Sequence, residues 1–245
     1  MIPEKTIDDF VSRLRAAAGA NLESVILFGS AVAGDFHPEF SNVNLFCVLR
    51  DTSFTALQKL APAVKWWGRQ KQPPPLFMTR EEIERSADVF TIEFMEIKQH
   101  HRVLFGEDVF QSLTIPASLH RVQVEYELRE KLALLRQSFL LACGKDARVW
   151  GLLVRSVSSF ATLFRHALIV LGYDAPVGKR EAVEALGEKI RFDTSAFLQV
   201  LDVRERRVDR RQFDVSDVFS RYLAAMEQVT AAVDKMLDSG TVGPS

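Results

Sequence analysis

Apolar residues recur at helical spacing over residues 6–18, where Ile7, Phe10, Val11, Leu14 and Ala18 share a face and Gly19 ends the run. Ser24–Phe28 is a short, β-branched and apolar run closed by Gly29, which predicts a buried strand, and residues 42–49 (NVNLFCVL) predict a second. Gly34 and Pro38 lie between them, so the connection is a turn plus a short helix rather than a tight hairpin. Residues 54–69 are helical in pattern, and Pro73-Pro74-Pro75 stops regular structure before a third strand at 76–78. Thr79 and Glu82 have the spacing of a capping box, which opens a helix over about 80–87. The segment 90–97 (FTIEFMEI) alternates apolar and polar residues and predicts a half-buried fourth strand with Thr91, Glu93 and Met95 on one face.

From residue 121 onward only helical periodicity remains. Leu128, Leu132, Leu135 and Phe139 mark one helix, and Leu153, Val157, Phe160, Phe164, Leu168 and Leu171 mark a more thoroughly apolar one. Helices at 179–190, 194–203 and 215–237 complete a bundle, the last with Val218, Tyr222, Met226, Val229, Val233 and Met236 on one face. The pattern therefore predicts an α+β chain: a mixed β-sheet domain with flanking helices over 1–117, an all-helical bundle over 118–238, and a frayed tail over 239–245.

Composition narrows the class. With 47% hydrophobic and 26% charged residues the chain is globular rather than disordered or fibrous. No stretch of about eighteen consecutive apolar residues is present, which excludes an obvious membrane span. The opening Met1-Ile2-Pro3-Glu4-Lys5 lacks the features of a secretory leader, and Cys47 and Cys143 are too far apart in pattern to suggest a metal knuckle, so a cytoplasmic setting is expected. The net charge of −1 argues against a nucleic-acid coat or a polybasic membrane binder. Residues 1–117 carry 12 basic and 15 acidic side chains and residues 118–245 carry 19 and 17, a contrast too small to name a partner.

One segment carries chemistry. After the first strand, Gly29-Ser30 opens a short helix, and eleven residues separate Ser30 from Asn42-Val43-Asn44 at the head of the second strand. The arrangement resembles the signature of the polymerase-β-like nucleotidyltransferase superfamily, in which a Gly-Ser turn is followed by a strand bearing an acidic-x-acidic pair. Phe105-Gly106-Glu107-Asp108 and a helical C-terminal domain recur in bacterial members, including antibiotic nucleotidyltransferases. The resemblance implies transfer of a nucleoside monophosphate from an NTP to a hydroxyl. Glycine lets the backbone approach a triphosphate, and helix-start amides and the Ser30 hydroxyl donate to its oxygens. The acidic pair, with a third carboxylate from a later strand, would hold two Mg²⁺ ions.

This chain departs from that signature at the metal. Asn42 and Asn44 stand in the acidic positions, and a carboxamide offers a neutral oxygen where a hard dication needs negative charge. Glu93 is the matching candidate for the third carboxylate and Glu96 the lesser one, so three ligands become one and Mg²⁺ is expected to bind weakly. Two readings follow: a catalytically impaired nucleotidyltransferase-fold protein that keeps a nucleotide pocket, or a non-catalytic nucleotide- or protein-binding regulatory module, toxin–antitoxin-like, whose helical domain meets a protein partner or a second copy.

Other conspicuous residues have plainer explanations. Gly29-Ser30 could be only a capped turn, and Asn42 and Asn44 could be turn-following surface residues. Asp35 and Glu39 lie in the same loop and are expected to be solvated charges, with a carboxylate lent to a displaced metal as the sharper alternative. His100-His101 have no ligand-spaced partner, which argues against a metal site. Arg155, Arg165 and His166 lie on the apolar helix, where long stems pack. The run from Arg204 to Arg211 holds five arginines with Glu205 and Asp209 interspersed; a solvated loop is the default and a phosphate contact the sharper alternative. Trp66-Trp67 could stack a base or pack a helix.

Overall fold

A computed structural model describes residues 3–33, 36–37 and 39–238. Gly34, Asp35 and Pro38 of the predicted turn, the opening two residues and the predicted tail lie outside the described residues. The chain divides into two compact units, 1–117 and 118–245.

The first unit is built on a four-stranded sheet of order β3-β2-β1-β4, with β1 at Leu22–Phe28, β2 at Asn44–Leu49, β3 at Leu76–Thr79 and β4 at His101–Gly106. β1 runs antiparallel to both β2 and β4, and β2 runs parallel to β3. Strand alternation sends Val25, Leu27, Leu45, Cys47 and Leu49 to one face, where helices α1 (Glu4–Ala18) and α3 (Phe54–Arg69) cover them. Trp67 of α3 is fully buried and stacks on Phe10 of α1 at 4.5 Å between ring centroids, while the Arg13 guanidinium lies over Trp66. The tryptophan pair therefore packs helices. The opposite face carries Ile26, Phe46 and Val48 against α4 (Arg80–Arg85), α5 (Thr91–Gln99) and Phe110.

The capping box opens α4 as expected: Glu82 N–H donates to Thr79 Oγ1 at 3.1 Å, and Thr79 N–H donates to Glu82 Oε2. The fourth strand is a correction. Residues 90–97, expected as a strand, are instead the N-cap Phe90 and the greater part of α5, and the strand lies in the following segment, His101–Gly106. Thr91, Phe94 and Ile97 recur at intervals of three and are buried with Ile92, so eight residues satisfied both periodicities. The Val103-Leu104-Phe105 run ending at Gly106 was the missed signal. Gly106 has φ +77°, and a Cβ there would lie 1.8 Å from the Glu23 carbonyl oxygen, so only glycine fits this crossing of β4 over β1.

The second unit is helical. α6 (His120–Ala142), α8 (Lys179–Ile190), α9 (Ser195–Arg204) and α10 (Val215–Asp238) pack against α7 (Asp146–Val170), which buries thirteen of its residues and is the centre of the bundle. By length and hydropathy α7 could cross a membrane, but 61% of its most apolar stretch is buried inside the protein, as befits a bundle core. The helical unit also carries a buried histidine pair, His120 Nε2 and His166 Nδ1 at 2.8 Å. Arg165 is buried and donates to the Val177 carbonyl, and Arg204 is buried and donates to the Val154 carbonyl. Arg207 pairs with Glu205, and Asp209 caps the turn Arg210–Gln212. This arginine run is thus an anchored loop with solvated tips.

Candidate nucleotide site

The Gly-Ser turn forms because β1 ends where only a left-handed residue can follow. Gly29 has φ +75°, and its carbonyl accepts from the amides of Val32 and Ala33 at 2.9 and 3.0 Å, which coils Ser30–Ala33 into the single turn α2. Asn44 pairs with Phe28 in the β1–β2 register, directly beside this turn. Its Nδ2 lies 3.1 Å from where a Cβ on Gly29 would stand, so the carboxamide occupies the space that glycine leaves. Replacing Gly29 with Ala should cost about 1–2 kcal/mol for the left-handed backbone and displace the Asn44 carboxamide, a loss readable by urea unfolding.

The two asparagines are not equivalent. Asn44 is half-buried at the first position of β2, whereas Asn42 is exposed and precedes the strand. Between them Val43 is fully buried, and its N–H donates to Gln72 Oε1 at 2.8 Å. Glu93, expected on a strand, is an exposed residue in the first turn of α5, so the strand argument that selected it no longer applies. Glu96 lies on the same helix. Of the loop charges, Glu39 is exposed and its N–H donates to His37 Nδ1, while Asp35 lies outside the described residues.

The third strand of this row supplies a histidine. His101 of β4 pairs with Phe28, so Asn44, Phe28 and His101 lie abreast on the face that carries Phe46. The imidazole is fully engaged: Nδ1 is 2.8 Å from the Ile97 carbonyl and Nε2 is 2.9 Å from Asp108 Oδ2. Burial pushes the Asp108 carboxyl upward, but the hydrogen bond and charge of His101, with the amides of Gln111 and Phe110, hold it below the usual aspartate range. Sequence spacing had left His101 without a partner; the turn through Gly106 brings Asp108 back to it. Cys47 faces the other side of the sheet, buried, and burial pushes its thiol up.

Comparison with known proteins accords with this geometry. Residues 5–100 match the family model described as a nucleotidyltransferase domain. This segment is a nucleotidyltransferase domain of the polymerase-β-like superfamily. Among solved structures, the chain is similar to spectinomycin adenyltransferase AAD(9) from Enterococcus faecialis, solved with ATP and spectinomycin, at 17% identity and a TM-score of 0.55. The likeness covers 92% of this chain and 98% of that one, so the helical unit shares the architecture as well as the nucleotidyltransferase domain. No curated protein matches.

The superfamily implies a pair of Mg²⁺ ions. The donors at the motif here are two carboxamides and the Ser30 hydroxyl. Among the described residues no group of three His, Cys, Asp or Glu side chains is assembled that could hold a metal. Mg²⁺ is bound through one or two carboxylates besides substrate phosphates, and this donor set does not fit a two-ion site.

Proposed function

We propose that this protein has the architecture of enzymes that move a nucleoside monophosphate from an NTP to a hydroxyl, but takes the nucleotide without effective turnover. The observation that carries the reading is the Asn42-Val43-Asn44 segment, whose second carboxamide lies against the Gly29-Ser30 turn where the superfamily has a metal-binding carboxylate. The remaining parts favour a phosphate. The Ser30 hydroxyl and the amides at the start of α2 are neutral donors, and carboxamide N–H groups at 42 and 44 can donate to phosphoryl oxygens that carboxylates would repel. The adenyltransferase solved with ATP supports an adenine nucleotide as the first ligand to try. Mg²⁺ in this reading accompanies the nucleotide weakly or not at all.

Calorimetric titration of the four NTPs, each with Mg²⁺, with Mn²⁺ and with EDTA, tests this directly. Binding of at least one NTP is expected, with an affinity that differs less than about threefold between metal and EDTA, since threefold is only about 0.7 kcal/mol. Pyrophosphate release should stay at background with any simple hydroxyl acceptor. Metal-dependent release of pyrophosphate by the unmodified protein would sink the proposal.

The second reading, a protein-binding regulatory module, draws on the apolar tip of α6, where Leu140 and Leu141 are 76% and 82% exposed. Failure to bind any NTP, together with a self-association or complex abolished by Leu140→Ser and Leu141→Ser, would favour it.

A further inference from the structure

The candidate site depends on a contact from outside the motif. β2 begins its ladder at Asn44, so the buried Val43 amide has no strand partner and is satisfied instead by Gln72 Oε1, twenty-nine residues away. A buried donor without an acceptor is costly, so this bond constrains the peptide between the two asparagines. Gln72 is itself held. Its Nε2 donates to the Gln70 carbonyl at 3.3 Å, and the chain turns beside it through Lys71 at φ +60°. The adjoining Pro73 carbonyl accepts from Trp67 Nε1 at 2.9 Å, and Trp67 is fully buried in the α1–α3 core. Core packing, indole, strap and motif thus form one continuous chain of contacts.

We propose that Gln72 is a positioning residue of the nucleotide site: by fixing the Val43 amide it sets the directions in which the Asn42 and Asn44 carboxamides point. This rests on the nucleotide reading above for its consequence, but not for its geometry. Rotation of the peptide ahead of Val43 redirects the Asn42 side chain and loosens the entry into β2. Gln72 touches no ligand in this role. It acts through the backbone of the residues that do.

The experiment compares Gln72→Ala, Gln72→Glu and, as a control, Gln70→Ala, whose side chain takes no part because only the Gln70 carbonyl is used. Amide hydrogen exchange and ATP titration are measured on each full-length variant, with the Ile26 and Val48 amides of the sheet as internal references. Gln72→Ala should speed exchange at Val43 at least tenfold without moving the references, and should weaken ATP binding about tenfold. Gln72→Glu keeps an acceptor for the Val43 amide while losing the donor to the Gln70 carbonyl, and should restore most of the Val43 protection, a rescue that general destabilisation would not give. Gln70→Ala should behave as the unmodified protein. Unchanged Val43 exchange in Gln72→Ala, or faster exchange with ATP affinity intact, overturns the positioning role. An unmodified protein that binds no nucleotide overturns the nucleotide reading instead, and Val43 exchange alone then decides whether Gln72 fixes this peptide.

Discussion

Changing Asn42 and Asn44 together to Asp is expected to convert a metal-indifferent site into a metal-dependent one. Two unit charges at 4 Å interact by about 4 kcal/mol at an effective dielectric of 20, and a dication doubles that for each carboxylate before desolvation is subtracted. Even after most of this is offset, each restored carboxylate should contribute at least tenfold, about 1.4 kcal/mol, to the affinity for Mn²⁺ in the presence of a non-hydrolysable ATP analogue. The double variant should therefore bind the metal–nucleotide complex about a hundredfold more tightly than the parent. Calorimetric titration of Mn²⁺ into the nucleotide-loaded proteins reads this out. Adding Glu93→Ala to the double variant assigns the remaining carboxylate: cancellation of the gain makes Glu93 a ligand despite its place on α5, and an undiminished gain leaves the two aspartates as the set. Tight metal-dependent binding by the unmodified protein, or no gain in the double variant, would mean that these asparagines do not stand in metal-ligand positions.

The largest expected pH effect lies in the helical unit. His120 is buried, and burial first, then the charge of His166, pushes its imidazole down from 6.5 to about 4. A folded-state value below the unfolded one means that the unfolded chain binds the proton more readily. The stability associated with a neutral His120 is thus fully present above about pH 6.5 and is lost as the pH falls toward 4. A depression of that size corresponds to about 3 kcal/mol by linkage. Urea unfolding at pH 7, 6, 5 and 4 should show this decline in the parent. His120→Gln, which keeps a polar group but cannot titrate, should be less stable at pH 7 and lose about 3 kcal/mol less across the same window. Parallel curves for the two proteins would exclude His120 as the source. The depressed carboxyls of Glu23, Asp51, Asp108 and Asp193 add to the decline only at the acid end of this window, since their contribution is present above the ordinary carboxylate range and is lost as the pH falls into and below it. They are common to both proteins and cancel from the comparison.

Much of this protein is determined locally. The stripe Ile7, Phe10, Val11 and Leu14 specifies α1, β-branched runs specify β1 and β2, and Thr79 with Glu82 specifies the start of α4, because each pattern is complete within one window of chain. The Gly29-Ser30 turn and the neutral Asn42-Val43-Asn44 segment were equally legible, since a left-handed turn requires glycine and side-chain charge is read directly from residue type. Residues 90–97 mark the limit: eight residues fit both periods, and burial of Phe94 and Ile97 against the sheet selected the helix. Three pairings in the first unit were decided by tertiary structure alone. Placing β4 next to β1 sets His101 abreast of Asn44, the turn at Gly106 returns Asp108 to His101, and the strap after α3 carries Gln72 to Val43. In the helical unit, α6 and α7 bring together His120 and His166, forty-six residues apart. Periodicity within a segment follows from the geometry of its own backbone, whereas these contacts depend on strand order, register and helix packing, which only the simultaneous burial of all the apolar faces determines.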